Sequence, residues 1–169
     1  MKINNTSITS KNIDDVVTLY GWVNKKRDLG GLIFIDLRDR SGIIQLVVNP
    51  DSKVYDIASV LKNEYVIKAT GVVGKRQNVN EKLKTGEIEV IVSDLVVLNT
   101  SLDLPFDLNN VTALEDTRLK YRYLDLRRSD LQKNIIIKHK IMNSTREYLN
   151  SLDFIEIETP ILCKSTPEG

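Results

Sequence analysis

The stretch GGLIFIDLRDRSGIIQLVV, residues 30–48, decides the fold, because it alternates in polarity as two strands around a polar turn. In the first strand Ile33, Ile35 and Leu37 share one face, as expected where a strand packs on a core. Phe34 falls on the opposite face, among charged residues. A large aromatic side chain on the solvent face of a strand therefore needs an explanation.

The turn between the two strands sets which side chains meet. A two-residue turn at Arg40-Ser41 pairs Phe34 with Val47 and puts Gln45 diagonally beside Phe34 on the same face. An aromatic ring can stack on an unstacked base, and an amide can both donate and accept at a base edge. From these residues alone two interpretations stay open, a base-reading face and an ordinary solvated face.

Carboxylates and basic residues add to the same face. In the last predicted strand Glu87 and Glu89 lie opposite the apolar side chains, and a carboxylate can accept from an exocyclic amino group. Lys25, Lys26 and Arg27 follow the first predicted strand, where basic side chains are able to hold phosphates. A basic run of this length is equally typical of a solubilising turn.

The composition is that of an ordinary globular protein, and the net charge of the whole chain favours no particular kind of partner. Of 169 residues, 41% are hydrophobic and 28% are charged, and the net charge is +1, so nucleic-acid binding must depend on a local surface. One cysteine and one histidine exclude a disulfide within the chain and predict no metal site. The sequence shows no secretory signal and no apolar run long enough to span a membrane, so we expect a cytoplasmic protein.

The order of elements predicts the architecture. Predicted strands cover 16–24, 31–39, 42–49, 65–73 and 87–98, and a predicted helix covers 51–64 with Asp51 or Ser52 as its N-cap. Five strands with a helix between the third and the fourth are typical of the OB-fold, a five-stranded Greek-key barrel. The fold class is therefore mainly β.

The remainder of the chain predicts a second domain. Residues 101–128 indicate a hinge or linker, and 117–128 (TRLKYRYLDLRR) hold five basic residues against one acidic residue. A helix is predicted from Ser129 to about residue 151, with Gln132 completing a capping box, and a strand is predicted over 154–162. We expect domains at 1–100 and 129–169, the second being truncated.

Three motifs carry a resemblance to a known family. GWVNKKRDLGGLIFIDLRDRSGIIQLV, RLKYRYLDLRR and ETPILCKSTPEG together closely resemble bacterial-type aspartyl-tRNA synthetases of class II, from about residue 16 to residue 169. Related runs occur in lysyl and asparaginyl enzymes, but the combination indicates the aspartyl branch. The resemblance implies an OB-fold anticodon-binding domain, a hinge, and the start, helix plus strand, of a class II α+β catalytic domain.

The resemblance also implies an activity. Enzymes of this family use ATP and Mg²⁺ to activate L-aspartate as aspartyl-adenylate, and then transfer it to the 3′ end of tRNA(Asp). They act as homodimers through an antiparallel catalytic sheet. The second and third class II motifs, which bind ATP and metal, are not among these 169 residues. We therefore expect no catalytic residue, no bound cofactor and no adenylate formation from this N-terminal piece alone.

Residue roles follow from the same motifs. The resemblance implies that Phe34 stacks on an anticodon base, that Gln45 reads the central uracil, and that Glu89 lies against a flanking base. Asn78 and Arg27 match further family positions near the anticodon.

The second domain matches the family at two residues. Pro160 corresponds to the first class II motif at the dimer interface, and Glu168, in STPEG, to the residue that binds the aspartate ammonium. A carboxylate beside an ammonium forms a charge-assisted hydrogen bond. Two alternatives to a synthetase remain, a stand-alone OB-fold module that binds RNA and a structural dimerisation piece.

Overall fold

The computed structural model describes residues 4–108, 112–162 and 164. The chain divides into two units, Met1–Asp103 and Leu104–Gly169, which are treated separately below. The first unit contains five strands and one short helix: β1 (Val16–Leu29), β2 (Leu32–Arg38), β3 (Ile43–Val48), α1 (Tyr55–Ser59), β4 (Val66–Lys75) and β5 (Ile88–Asn99). Two short 3₁₀ turns precede β1, at Asn5–Ser7 and Ser10–Asn12.

The strands close into a barrel in the order β1-β2-β3-β5-β4, with β4 pairing back to β1. All neighbours are antiparallel except β3 and β5, which are parallel. The helix α1 lies between β3 and β4 in sequence. The predicted five-stranded OB-fold is therefore confirmed.

The apolar side of each strand faces the barrel interior. Ile33, Ile35 and Leu37 in β2 are fully buried, as the alternation in the sequence predicts. Fully burying one such side chain stabilises a fold by roughly 1.5–3 kcal/mol. Equivalent positions on the other strands complete this core: Leu19, Val23, Ile44, Leu46, Ile67, Val73, Ile88 and Val90.

The turn between β2 and β3 has the predicted two residues. The backbone N–H of Asp39 donates to the carbonyl of Gly42 at 2.9 Å, and Gly42 has a φ of 151°, which favours glycine. The Asp39 carboxylate accepts from Ser41 N–H at 2.7 Å and from Asn5 N–H at 2.8 Å. This closure fixes the register in which Phe34 is opposite Val47, confirming the predicted pairing.

Two local predictions in the barrel are wrong. Strand β1 continues to Leu29, so the basic run lies within the strand and does not follow it. The strand is long because it pairs with β4 over its first half and with β2 over its second half. The helix covers Tyr55–Ser59 rather than 51–64, and its N-cap is Val54 instead of Asp51 or Ser52. One helical turn suffices to bury Val54 and Ala58 on the barrel.

The second unit is helical: α2 (Glu115–Lys120), α3 (Arg122–Asp125) and α4 (Ser129–Asn150). The long helix has the predicted extent, whereas the two short helices were not predicted within the hinge. A small apolar cluster contains Phe106, Leu108 and Leu124. The buried carboxylate of Asp125 pairs with Arg122 at 2.6 Å and with Arg128 at 3.2 Å.

Two further predictions fail in this unit. The capping box of Ser129 and Gln132 is absent, because the N-cap is Arg128, which makes no side-chain cap bond. Residues 154–162 form no strand, since the described residues of this unit contain no other strand to pair with. The predicted domain boundaries themselves stay a prediction.

Candidate nucleic-acid interface

One transverse row of side chains crosses four strands on the outside of the barrel. Lys25 of β1 is the backbone partner of Asp36 in β2, Asp36 is the partner of Gln45 in β3, and Gln45 is the partner of Glu89 in β5. The register of β1 shifts between Val23 and Lys25, and such a bulge re-aims the side chains that follow it. The row therefore mixes two acids, an amide and a base on one face.

A second row lies beside the first. Arg27, Phe34, Val47 and Ile91 are successive partners on the same four strands. Phe34 is half-buried, so part of this residue remains open to solvent. Because adjacent rows are two residues apart along each strand, the ring of Phe34 lies next to the polar groups of the first row.

Two polar contacts fix the first row. The amide Nε2 of Gln45 donates to Oε2 of Glu89 at 2.8 Å, and Gln45 is only 4% exposed. Arg27 of the second row donates from Nη2 to Oδ1 of Asp36 at 2.7 Å. Side chains held in this way are pre-organised for a ligand, because they lose little further freedom when it binds.

The second row, together with Gln45 and Glu89 of the first row, lines one groove of about 460 Å³. Its residues come from β1, β2, β3 and β5 and from the segments after β3 and β4: Arg27, Leu29, Leu32, Phe34, Gln45, Val47, Asn49, Arg76, Gln77, Asn78, Glu89 and Ile91. The lining combines the Phe34 ring and apolar side chains with amides, two arginines and the Glu89 carboxylate. A groove of this composition suits a flat aromatic ligand with polar edges.

The loop after β4 contributes lining residues to the groove and is held by backbone hydrogen bonds. Arg76 N–H donates to the carbonyl of Glu87 at 2.9 Å, and Asn80 N–H donates to the carbonyl of Gly86 at 3.0 Å. A Cβ at Gly86 would lie 1.8 Å from the Asn80 carbonyl oxygen, so only glycine fits there. Asn78 therefore sits on a loop whose ends are closed by backbone hydrogen bonds.

The structure brings together most of the predicted interface. Arg27, Phe34, Gln45, Asn78 and Glu89 all line the groove. Lys25 does not line it; this side chain is exposed at the end of the first row. The roles assigned to these six residues stay predictions.

Two further site residues were predicted in the second domain. Pro160 is exposed in a segment without regular structure. Glu168 lies outside the described residues. The roles predicted for both residues stay predictions.

Sequence reasoning missed Arg76 and Ile91. Ile91 follows Glu89 by two positions, so the strand period could have placed it on the same face. Arg76 directly follows β4, and its position depends on the fold of the loop, which has no periodic signal. Its Nη1 is buried and has no hydrogen-bond partner among the described residues, as is also true of Nε in Arg27.

The second unit has a smaller groove of about 260 Å³ beside α4. It is lined by Met142, Thr145, Arg146, Leu149, Asn150, Phe154, Ile155 and Glu156. A hydrogen bond from Arg146, at 2.8 Å, lowers the pKa of Glu156. Large apolar side chains along α4 are partly exposed, including Ile141 at 61%.

Two kinds of feature are absent from the described residues. No helix in 4–108, 112–162 or 164 combines the length and the hydropathy that a membrane span requires. Within those same ranges no group of three or more acidic, histidine or cysteine side chains could hold a metal ion.

Comparison with known families defines the class of protein. Residues 17–98 match the OB-fold nucleic acid binding domain of the tRNA anti-codon family, and residues 114–169 match the class II tRNA synthetases for D, K and N. The barrel that carries the groove is thus the anticodon-binding type, and it precedes a class II synthetase segment. This combination is that of a class II aminoacyl-tRNA synthetase.

Individual relatives narrow the class. The chain is 51% identical over 167 residues to an aspartate--tRNA ligase from Lactococcus lactis. The aligned region covers 96% of this chain and 28% of that protein. Among solved structures, asparaginyl-tRNA synthetase from Pyrococcus horikoshii matches with a TM-score of 0.83 and 27% identity, over 96% of this chain and 38% of that one. Aspartyl tRNA synthetase from Entamoeba histolytica has a TM-score of 0.87 over 96% of this chain and 40% of that one; at 22% identity it supports the fold alone.

The chain belongs to the aspartate--tRNA ligase family of class II synthetases. It spans 28% of the length of the curated relatives that it matches. The resemblance predicted from its motifs is therefore confirmed.

Proposed function

We propose that the groove on the barrel reads the anticodon of tRNA(Asp). The observation that carries the proposal is the juxtaposition of the Phe34 ring and the Gln45 amide in one groove of an anticodon-binding OB-fold. An aromatic platform holds a splayed base at ~1–3 kcal/mol per base, and a neighbouring amide reads its edge. A merely solvated face would not require a glutamine that is 4% exposed.

Each predicted residue has a defined task in this proposal. Phe34 stacks on an anticodon base, Gln45 reads the central uracil, and Glu89 lies against a flanking base. Arg27 and Asn78 line the groove and contact the neighbouring nucleotides. Buried guanidinium N–H groups without a partner among the described residues, in Arg27 and Arg76, favour a ligand with acceptor oxygens.

Lys25 has a different task. It is exposed beside the first row, outside the groove, where it contacts the phosphate backbone rather than a base. Such a contact contributes affinity that salt weakens, without discriminating between sequences.

We further propose that the longer protein containing this chain is a cytoplasmic aspartate--tRNA ligase. It activates L-aspartate with ATP and Mg²⁺ and transfers it to tRNA(Asp). Glu168 binds the aspartate ammonium. Family membership and the class II match over 114–169 support this proposal.

The 169 residues by themselves are proposed to form no adenylate and to bind neither ATP nor Mg²⁺. A reaction at a phosphate of ATP requires protein groups or metal ions that neutralise the negative charge that develops in the transition state. ATP–pyrophosphate exchange with L-aspartate is expected to equal that of a protein-free control. Exchange clearly above that control would contradict this part of the proposal.

A homodimer is proposed through α4 and the segment around Pro160. Apolar side chains such as Ile141 and Phe154 are more than half exposed in this unit, which favours a partner surface. Sedimentation of Ile141→Asp should give a smaller weight-average mass than the unchanged chain at equal concentration. An exposed change on the barrel, Val16→Asp, is the matched control, and equal masses for all three proteins would contradict the interface.

The anticodon proposal is tested with two RNA hairpins. One carries G-U-C in its loop, and the other differs only at the central base. We expect the G-U-C hairpin to bind about tenfold more tightly at fixed salt, because a good base-edge contact contributes ~1–3 kcal/mol. Equal affinity for both hairpins would contradict base reading by the groove.

A further inference from the structure

We infer that Glu89 acts on Gln45 as a positioning residue, turning its amide so that the carbonyl oxygen faces the base. This inference rests on the proposed function, in which Gln45 reads the central base. It adds a physical reason for the choice of uracil over cytosine. It also gives Glu89 a task besides its contact with a flanking base.

The orientation of the amide follows from the contact with Glu89. The two residues are direct partners in the parallel pairing of β3 and β5, and their side chains meet at 2.8 Å. An ionised carboxylate accepts hydrogen bonds and cannot donate them. The atom of Gln45 that faces Glu89 must therefore be Nε2, and the carbonyl oxygen Oε1 takes the other position.

Burial keeps the amide in this orientation. Gln45 is 4% exposed, so a flip would place its carbonyl oxygen against the Glu89 carboxylate with little water to screen the repulsion. Asp36, the partner of Gln45 on β2, has a carboxylate that already accepts a hydrogen bond from Arg27 at 2.7 Å. Charge-assisted hydrogen bonds of this kind are stronger than neutral ones, which makes the orientation well determined.

The consequence concerns the bases that Gln45 can accept. Uracil carries a hydrogen on N3, and a carbonyl oxygen facing the base can accept it. In cytosine N3 carries no hydrogen and is itself an acceptor, so it cannot form a hydrogen bond with the carbonyl oxygen of Gln45. The amide held by Glu89 is thus complementary to uracil and repels cytosine.

The orientation is tested by changing the partner of the amide. In Glu89→Gln, either amide can donate to the other, so Gln45 is no longer held with its carbonyl toward the base. We expect the preference for a G-U-C over a G-C-C hairpin to fall toward parity, by about tenfold. The matched control is Glu87→Gln, which removes an exposed carboxylate two positions away and outside the groove.

A double exchange, Gln45→Glu with Glu89→Gln, provides the decisive rescue. The amide at position 89 then donates to the carboxylate at position 45, whose second oxygen faces the base as an acceptor. We expect the preference for uracil to return, even where overall affinity drops. The exchange keeps the net charge of the pair and its donor–acceptor match, and a denaturant midpoint for each variant reports on folding.

The outcomes separate this inference from the proposed function. If the unchanged chain does not distinguish the two hairpins, the proposed function fails and the inference fails with it. If the unchanged chain distinguishes them and Glu89→Gln does so equally well, only the inference is overturned. If the single variant loses the preference and the double exchange does not restore it, Glu89 acts by direct base contact and the orientation is overturned.

Discussion

The barrel and α4 place similar apolar side chains in opposite environments. In the barrel Ile35 and Leu46 are fully buried, whereas on α4 Ile141 is 61% and Leu149 is 40% exposed. The barrel closes on itself, so every strand finds two neighbours within the first unit. The helix has a long apolar surface that the described residues of its unit leave partly uncovered.

This difference shows where function can be assigned from the chain itself. In the barrel the core is complete, so Phe34 and Gln45 on the outer face are available for a ligand. In the second unit large apolar side chains of α4 stay exposed among the described residues, which is the surface that the proposed homodimer would cover. Matched changes in the two units should therefore have unequal effects.

Truncation of a buried leucine in the barrel should lower the free energy of unfolding far more than the same truncation at a half-exposed leucine on α4. Leu46→Ala is expected to lower the free energy of unfolding by ~2–5 kcal/mol, because it leaves a cavity in a closed core. Leu149→Ala removes the same atoms from α4 and should lower it by less than about 1 kcal/mol. Denaturant titration followed by circular dichroism measures both, and equal losses would contradict the contrast.

Removing an aromatic ring should affect RNA binding in only one of the two units. Phe34→Ala is expected to weaken binding of the G-U-C hairpin by ~1–3 kcal/mol, since the stacking platform is lost. Phe154→Ala makes the same change on an exposed ring of the second unit and should leave that affinity unchanged. Fluorescence anisotropy with a labelled hairpin provides the measurement, and similar losses for both variants would argue against stacking on Phe34.

The turn that sets the strand register should make the barrel sensitive to acid. Burial alone would raise the pKa of Asp39, but hydrogen bonds from Ser41, Asn5 and Gly42 outweigh it and hold that pKa below its ordinary value of 3.8. A carboxyl with a lowered pKa stabilises the fold at any pH above its ordinary pKa. That contribution to the free energy of unfolding is lost as the pH falls through the pKa of the folded state.

We therefore expect Asp39→Asn to cost about 1 kcal/mol at pH 7, a modest amount because the carboxyl is partly exposed. The cost should shrink as the pH falls below 3.8 and through the folded-state pKa of Asp39, because the unchanged carboxyl then becomes protonated itself. Unfolding free energies of both proteins across this range measure the effect. Parallel pH profiles would show that the hydrogen bonds at this turn do not favour the charged carboxylate.

The smallest effect is expected at Lys25. If it neutralises one phosphate of a single-stranded loop, Lys25→Gln should reduce the slope of log affinity against log salt by about 0.7. The ratio of affinities for the two hairpins should not change. Lys53→Gln, an exposed lysine in the segment before α1, is the control, and an unchanged slope for Lys25→Gln would remove this residue from the interface.

Sequence alone predicted the local part of the site. The strand period of two and the two-residue turn placed Phe34 opposite Val47, and the structure has that register. The contact between Gln45 and Glu89 could not be predicted in this way. It depends on a parallel pairing of β3 with β5 between residues 44 positions apart, for which no local pattern sets the register.

The failures of prediction have a related origin. The basic run lies within β1 because one long strand serves two neighbours, which a local window cannot show. Residues 154–162 alternate as a strand does, but a strand also needs a partner, and α4 is the element that precedes them. The loop after β4 carries Arg76 and Asn78 through backbone contacts that have no periodic signature.

The central claim is that an RNA base lies on Phe34 with its edge at Gln45. Nuclear magnetic resonance of the isotope-labelled chain with the unlabelled G-U-C hairpin tests it most directly. We expect intermolecular nuclear Overhauser effects between the Phe34 ring and one base, together with a large shift of the Gln45 side-chain amide. Saturating RNA that shifts signals only in the basic segment 117–128, and leaves Phe34 and Gln45 unchanged, would contradict it.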